Sequence, residues 1–309
     1  MRAVGITSFG GPEVLEIVEK PVPVPGDGEI RIRVAAATVN PTDTVLRAGG
    51  RGTPPTEPPY VAGMELAGTI DAVGPGTRWQ PGDEVMAITT PRGPHGGAQA
   101  EYVVVHADSA ARIPEGASFA EAATLPMNGL TARLALDHLA LPAGETIAVT
   151  GAAGAVGGYT MQLAAGAGLR VIGDAKPADE ELVRALGADV VVPRGPDVAT
   201  AIRQQVPDGV AAVVDAALTG PPVLAAIRDG GQLIALRGFR GEPERGITVK
   251  PILVSNYLHE GGKLAQLADL AAKGSLALRV AREVPAAQAA DAHRQLESGG
   301  TRGRLVLIF

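Results

Sequence analysis

From Thr146 to Arg237 the chain alternates without interruption between short apolar runs and amphipathic ones, and few patterns leave a fold so little choice. The spacing predicts strand Thr146–Thr150, helix Gly154–Ala167, strand Arg170–Gly173, helix Asp179–Leu186 closed by Gly187, and strand Val190–Val192. Helix Asp197–Val206, strand Ala212–Asp215, helix Pro222–Arg228 and strand Gln232–Arg237 complete the series. Strands that are apolar throughout, instead of at every second residue, must be covered on both faces. A parallel sheet wound with helices on either side provides that cover. The predicted class is therefore α/β, with a doubly wound parallel sheet.

The flanking segments have a different texture. Glu29–Ala35 alternates Ile30, Ile32 and Val34 with polar residues, the period of a half-buried strand. Further strand signals at Glu65–Val73, Glu84–Ile88 and Glu101–Val105 are separated by Gly/Pro turns, so the segment up to Pro114 reads as a small irregular β-barrel. The long loop Gly49–Pro59 has the length of a binding loop. Ser118 and Glu121 form a capping box that opens a helix at Phe119, and a helical pattern follows over Leu130–Leu139. After the alternating region come helices near Leu264–Ala272 and Ala286–Glu297 and a last strand, Arg304–Phe309, which would rejoin the first domain. The expected division is a catalytic domain over 1–118, a dinucleotide-binding domain over 119–255, and a return segment over 256–309.

Composition removes several chemistries. The chain has no cysteine, which eliminates disulfides, thiolate catalysis and Cys-ligated zinc. None of the five histidines is spaced at i, i+4, so a metal-binding His helix is absent and no metal is expected. The net charge of −6 opposes binding to nucleic acid. No apolar run is long enough for a membrane span, and the first residues lack a signal-peptide pattern, so a cytoplasmic protein is expected.

The strongest local signal lies inside the alternating region. Strand Thr146–Thr150 leads into Ala152-x-Gly154-x-x-Gly157 and then a helix. A small first residue permits the tight turn, Gly154 lets backbone approach a pyrophosphate, and Gly157 lets helix and strand pack closely. Ala155 and Val156 then present helix-start N–H groups to phosphates. The next strand should reach the ribose of such a cofactor, and its end reads Asp174-Ala-Lys176. Asp174 suits the free 2′-hydroxyl of NAD, whereas Lys176 suits the 2′-phosphate of NADP. Arg194, after the following strand, adds a second cation and tilts the reading toward NADP.

The ordered motifs Val39-Asn40-Pro-Thr-Asp43-Thr-Val-Leu-Arg47, Gly63-Met-Glu65-Leu-Ala-Gly68, Trp79-Gln-Pro-Gly-Asp83-Glu-Val, Gly97-Ala-Gln-Ala-Glu101-Tyr102 and Ala123-Thr-Leu-Pro-Met-Asn128-Gly-Leu-Thr131-Ala, with the glycine turn, Leu186-Gly-Ala-Asp189 and Gly303-Arg304-Leu-Val-Leu, span nearly the whole chain. Together they resemble the medium-chain dehydrogenase/reductases, in particular the zinc-independent quinone oxidoreductase (zeta-crystallin-like) branch. The resemblance implies a Rossmann domain inserted into a GroES-like β-barrel catalytic domain. In the zinc alcohol dehydrogenases of that superfamily a Cys stands at the position of Asn40 and a His at that of Met64. Neither ligand is present here, so zinc-free chemistry is implied.

The resemblance also implies roles. Asn40 would lie near nicotinamide and substrate, Thr131 and Asn128 would contact the cofactor, and Leu236 to Gly238 would border the nicotinamide. Asp43 would orient the Asn40 loop, and Val45, Tyr60 and Met64 would line the substrate pocket. Val45 departs from the branch, where a Tyr is common, and Arg194 replaces a Tyr that packs on the adenosine phosphate. The implied activity is NADPH-dependent hydride transfer to a quinone or an α,β-unsaturated carbonyl compound. An enoyl reductase acting on a bulky or carrier-bound intermediate is the alternative, with Arg47 and Arg51 as the cations a carrier would meet. A non-catalytic NADPH-binding sensor is a third reading. The resemblance further implies a homodimer through the edge strand of the Rossmann sheet, expected at Gln232–Arg237. His95 is expected to be solvated, His138 and His293 to have no role, Asp215 to cap backbone N–H groups, and Glu65 to pair with an arginine instead of acting in catalysis.

Overall fold

A computed structural model describes residues 1–50 and 52–309, so Arg51 lies outside the described residues. The chain divides into two compact units. The first comprises residues 1–127, 257–273 and 278–309, and the second residues 128–256 and 274–277. Residues 119–127, expected with the nucleotide-binding domain, pack with the first unit.

The first unit contains β1 (Arg2–Ile6), β2 (Leu15–Glu19), β3 (Glu29–Val39), α1 (Pro41–Arg47), β4 (Tyr60–Val61), β5 (Glu65–Val73), β6 (Glu84–Ile88), β7 (Tyr102–His106), β8 (Ala110–Arg112) and α2 (Phe119–Ala122). Strand β3 is its spine. One edge pairs antiparallel with β5. The other pairs with β7 along Glu29–Arg33 and with the C-terminal strand along Ala36–Val39. Its burial follows its sequence: Ile30, Ile32 and Val34 point into the core between outward-facing Arg31 and Arg33, and burial becomes continuous from Ala36 to Val39. Register shifts after Arg31 and Val34 bend the strand. Gly68 is required because a Cβ there would collide with the Arg33 carbonyl. The Trp79–Asp83 motif is a turn held by Asp83, which accepts from the Gln80 N–H at 3.1 Å and from Arg112 at 2.8 Å.

Helix α3 (Pro126–Leu139) leads to the second unit. There β9 (Thr146–Thr150), α4 (Ala155–Gly166), β10 (Arg170–Ala175), α5 (Glu180–Ala185), β11 (Val190–Pro193), α6 (Val198–Gln205), β12 (Val210–Asp215), β13 (Ile227–Leu236) and β14 (Thr248–Ile252) follow. The sheet order is β11-β10-β9-β12-β13-β14, and every pair is parallel. Ala148, Ile172, Val213 and Leu233 on its strands are buried with residues of α6. Two sequence expectations change here. Pro222–Arg228 is a 3-10 turn over Pro221–Ala226, because adjacent prolines can open a helix but cannot continue one, and strand begins already at Ile227. Strand Gln232–Arg237 is not the sheet edge, since β14 pairs with it from Gln232 to Leu236. The sequence of β14, Thr-Val-Lys-Pro-Ile, hides a strand behind its proline, and an edge is where a proline is tolerated.

The chain then returns to the first unit through α7 (Gly261–Ala272), β15 (Val280–Pro285), α8 (Ala289–Ser298) and β16 (Arg304–Ile308). Strand β16 pairs antiparallel with β3, as expected of a rejoining strand. Among the described residues no helix is long and apolar enough to cross a membrane.

Candidate active site

In the second unit the glycine turn is built as its spacing requires. Gly151 has φ +66°, and Gly154 is the N-cap of α4. A Cβ at Gly157 would collide with the Gly151 carbonyl. Gly154, Ala155 and Val156 at the start of α4 are partly exposed, while Ala152 is buried. Two carboxylates support it from the neighbouring strand ends. Asp174 accepts the Ala152 N–H at 3.0 Å and is 3% exposed; its burial raises its pKa, opposed by that hydrogen bond and by the charge of Arg194. Asp215 accepts the Thr150 hydroxyl at 2.6 Å and the N–H groups of Thr219 and Gly220 at 3.0 and 2.9 Å, the capping role expected for it. Asp189 holds the opposite end of the sheet, just before β11, accepting from Val171 N–H near the start of β10 at 2.7 Å.

Lys176 and Arg194 are both exposed. They follow Ala175 and Pro193, which are partners on adjacent strands, and the Arg194 N–H donates to the Ala175 carbonyl at 2.9 Å. The two cations thus stand side by side where β10 and β11 end. Leu236 ends β13, and Gly238 follows it with φ +97°. Asn128 and Thr131 lie three apart on α3, hence on one face, and both are buried.

In the first unit a buried polar cluster surrounds the start of α1. Asn40 has no exposed surface. Its Oδ1 accepts from Arg304 Nη2 at 2.6 Å, and its Nδ2 lies 3.1 Å from Thr38 Oγ1 and 3.2 Å from Glu65 Oε1. Thr38 donates its hydroxyl to Glu65 Oε1 at 2.5 Å, and Arg304 Nη2 reaches the same carboxylate oxygen and Thr38 Oγ1, each at 2.8 Å. The other Glu65 oxygen accepts the Met127 N–H at 2.8 Å. Glu65 therefore pairs with an arginine, as expected; burial still raises its pKa, with Arg304 the strongest opposing influence.

Asp43 also organises this loop. Its carboxylate accepts the N–H groups of Asn40 at 2.8 Å and Gly63 at 3.2 Å, and the Gln99 side chain at 3.4 Å. Burial nonetheless pushes its pKa up to about 7. Met64 is buried, with its sulfur 3.7 Å from the Thr42 hydroxyl. Val45 and Tyr60 are half-buried, and Tyr60 stacks on Phe9 with ring centroids 5.7 Å apart.

Two residues, Arg47 and His293, behave differently from expectation. Arg47 is no cation for a carrier: it is 3% exposed and bound to Glu297 at 2.6 Å, to His293 at 3.2 Å and to the Gly10 carbonyl at 3.1 Å. His293, expected to be idle, is Arg47's buried partner. His95 is exposed, as expected, with its Nε2 3.1 Å from Glu29 Oε1. The site residues that sequence reasoning missed are Thr38, Gln99 and Arg304. Only Arg304 left a local trace, as a charge at the head of an otherwise apolar strand.

Two family descriptions match the chain: an alcohol dehydrogenase GroES-like domain over residues 26–115 and a zinc-binding dehydrogenase over residues 186–307. The quinone oxidoreductase of Sus scrofa is 31% identical over 328 residues, covering 100% of this chain and 98% of that protein. The chloroplastic NADPH-dependent alkenal/one oxidoreductase of Arabidopsis thaliana is 31% identical over 323 residues, covering 99% of this chain and 79% of that protein. A solved mycobacterial protein complexed with NADPH superposes with a TM-score of 0.88 at 31% identity, each chain covered completely.

The zinc named in the second description does not fit the donors found here. Asn40 Oδ1 is taken by a guanidinium nitrogen, Met64 offers only a thioether, and both Glu65 oxygens already accept hydrogen bonds. Among the described residues no three His, Asp or Glu side chains are placed to hold a metal. The two matched domains and the relatives aligned along the whole chain make this an oxidoreductase of the medium-chain dehydrogenase/reductase superfamily, in its quinone oxidoreductase family.

Proposed function

We propose that the chain reduces a quinone or an α,β-unsaturated carbonyl compound with NADPH, without a metal ion. The observation that carries this reading is the Asn40 cluster, in which a protein cation and its hydrogen bonds occupy the donors that zinc would need. Without a Lewis acid, an acceptor that delocalises the incoming negative charge is the easier substrate, and quinones and enones do so. The names of the Sus scrofa and Arabidopsis relatives support the same two acceptor classes.

The second unit fits NADPH. The turn at Gly154–Val156 offers helix-start N–H groups to a pyrophosphate, and Lys176 and Arg194 offer charge to a 2′-phosphate. NADPH, when bound, supplies the hydride. Leu236 and Gly238 border its nicotinamide in this reading, and Asn128 and Thr131 hold it from α3. In the first unit, Asp43 fixes the Asn40 backbone, and Val45 and Tyr60 shape the acceptor side with one apolar and one aromatic surface. Solvent supplies the proton that completes the reduction. A homodimer joined at the free edge β14 completes the reading.

Absorbance at 340 nm, followed with a benzoquinone and with an enone in the presence of a chelator, tests it. The expected result is NADPH oxidation that the chelator leaves unchanged and that is slower with NADH. Binding of NADPH without turnover of any acceptor would sink the proposal, and a chelator-sensitive rate would remove its metal-free part.

A further inference from the structure

Arg304 presents an unusual arrangement for an arginine. Its three contacts in the cluster, to Asn40 Oδ1, Thr38 Oγ1 and Glu65 Oε1, are made by one nitrogen, Nη2. Its Nε is buried with no partner among the described residues. The planar fork that usually justifies an arginine is therefore unused, and the residue acts as a point cation.

The direction of every bond around it can be worked out. Arginine only donates, so the Asn40 atom facing Nη2 must be the oxygen, which fixes the amide orientation and leaves Nδ2 toward Thr38 and Glu65. Thr38 Oγ1 and Glu65 Oε1 are 2.5 Å apart and 3.1 and 3.2 Å from Nδ2, so they subtend about 47° there, while amide N–H bonds diverge by about 120°. One Nδ2 hydrogen serves both acceptors. The second has no protein partner among the described residues. An unspent N–H at a buried residue is unfavourable, so the Asn40 amide is poised to donate to an oxygen once the site admits one.

We propose that Arg304 is the positioning residue of this site, a buried cation whose single nitrogen sets which end of the Asn40 amide is offered to the oxygen of the hydride acceptor. The inference rests on the quinone or enone reading above. Without Arg304 the amide is free to flip, and an acceptor oxygen that gains negative charge then meets a carbonyl instead of an N–H. The charged neighbours of the cation are Glu65 on β5 and, through its field, Asp43 on α1.

The test compares Arg304→Met, Arg304→Lys and the double variant Glu65→Gln/Arg304→Met, which removes both charges and guards against a fold lost to an unpaired buried carboxylate. Turnover is read together with NADPH affinity, and the Asn40 side-chain amide is followed by NMR, its signal identified by its loss in Asn40→Asp. Both Met-bearing proteins should lose kcat by about 100-fold, the scale of one missing oxyanion donor. NADPH affinity should stay within about threefold, and the Asn40 amide signal should shift and exchange faster. Lysine, with three hydrogens on one nitrogen, should recover at least about tenfold of the rate, since three acceptors surround that point. Wild-type kcat and an unmoved amide signal in a folded Met variant would overturn the proposal. So would equal losses in Lys and Met variants accompanied by lost NADPH binding, the mark of a packing role alone. If the wild type turns over no acceptor while the amide still responds to Arg304, the reduction reading falls and the positioning stands.

Discussion

Lys176 and Arg194 extend from paired strand ends, and the proposed target of both charges is one 2′-phosphate. Each would make a charge-assisted contact with a 2′-phosphate, and exposure trims the value of such a contact toward about 1 kcal/mol. The double variant Lys176→Ala/Arg194→Ala should therefore raise the KM for NADPH by about 10- to 100-fold and leave the KM for NADH nearly unchanged. Steady-state kinetics with both cofactors checks this, and an equal rise for NADH would show that the pair does not read the phosphate. This juxtaposition was legible because both residues follow strands of one alternating pattern. Asp174 was less legible: its place at the strand end suggested a ribose contact, but its carboxylate is buried beneath the turn and accepts from Ala152. Arg304 was hidden for a different reason. Its partners lie 239 to 266 residues away along the chain, and no local period can report a bond of that span.

Helix α1 has only seven residues, too few to be stable alone, yet Asn40 is its N-cap and it carries Asp43. Its far end is tied to α8 by Arg47, which binds Glu297 and donates to His293. Because arginine cannot accept, His293 Nδ1 must be unprotonated and the ring neutral, with its hydrogen on a buried Nε2 that has no partner among the described residues. Burial and the charge of Arg47 accordingly lower the His293 pKa to about 3. A folded-state pKa below the unfolded value means that the unfolded chain takes up the proton first. The stability tied to a neutral His293 is complete above about pH 6.5 and drains away as the pH falls toward 3. Asp43 works against it, because its raised pKa makes its own contribution fade as the pH rises toward 7. The informative quantity is therefore the difference between proteins. Between pH 7 and 5 the wild type should lose about 2 kcal/mol relative to His293→Gln, measured by urea denaturation at each pH. Parallel pH dependences would mean that His293 titrates alike in the folded and unfolded chain and that the fold does not hold it neutral. Sequence periodicity foresaw α8 as an amphipathic helix but could not foresee that its histidine meets Arg47, because the two elements are joined only by the fold.

At the scale of the whole molecule, the division into a wound parallel sheet and a β unit closed by the C-terminal strand was readable from the change in texture and from Arg304–Phe309 returning as strand. What could not be read was where the parallel sheet stops. The final strand β14 contains Lys250, whose ammonium group binds the His138 carbonyl and the Gln232 side chain, and Pro251, which lacks an N–H. Both features suit an edge that must not pair with strangers. They also shape the proposed dimer. A strand with a missing donor makes a broken ladder, so contact between copies at this edge needs apolar side chains in addition to backbone bonds. Leu253, directly after β14 and 43% exposed, is the large apolar side chain positioned for it. Leu253→Glu should convert a species of twice the chain mass into one of single mass in light scattering at micromolar concentration, with NADPH affinity retained because the glycine turn lies at β9, three strands inward. A wild type that is monomeric under the same conditions would refute the dimer, and a variant that stays dimeric would move the interface away from β14.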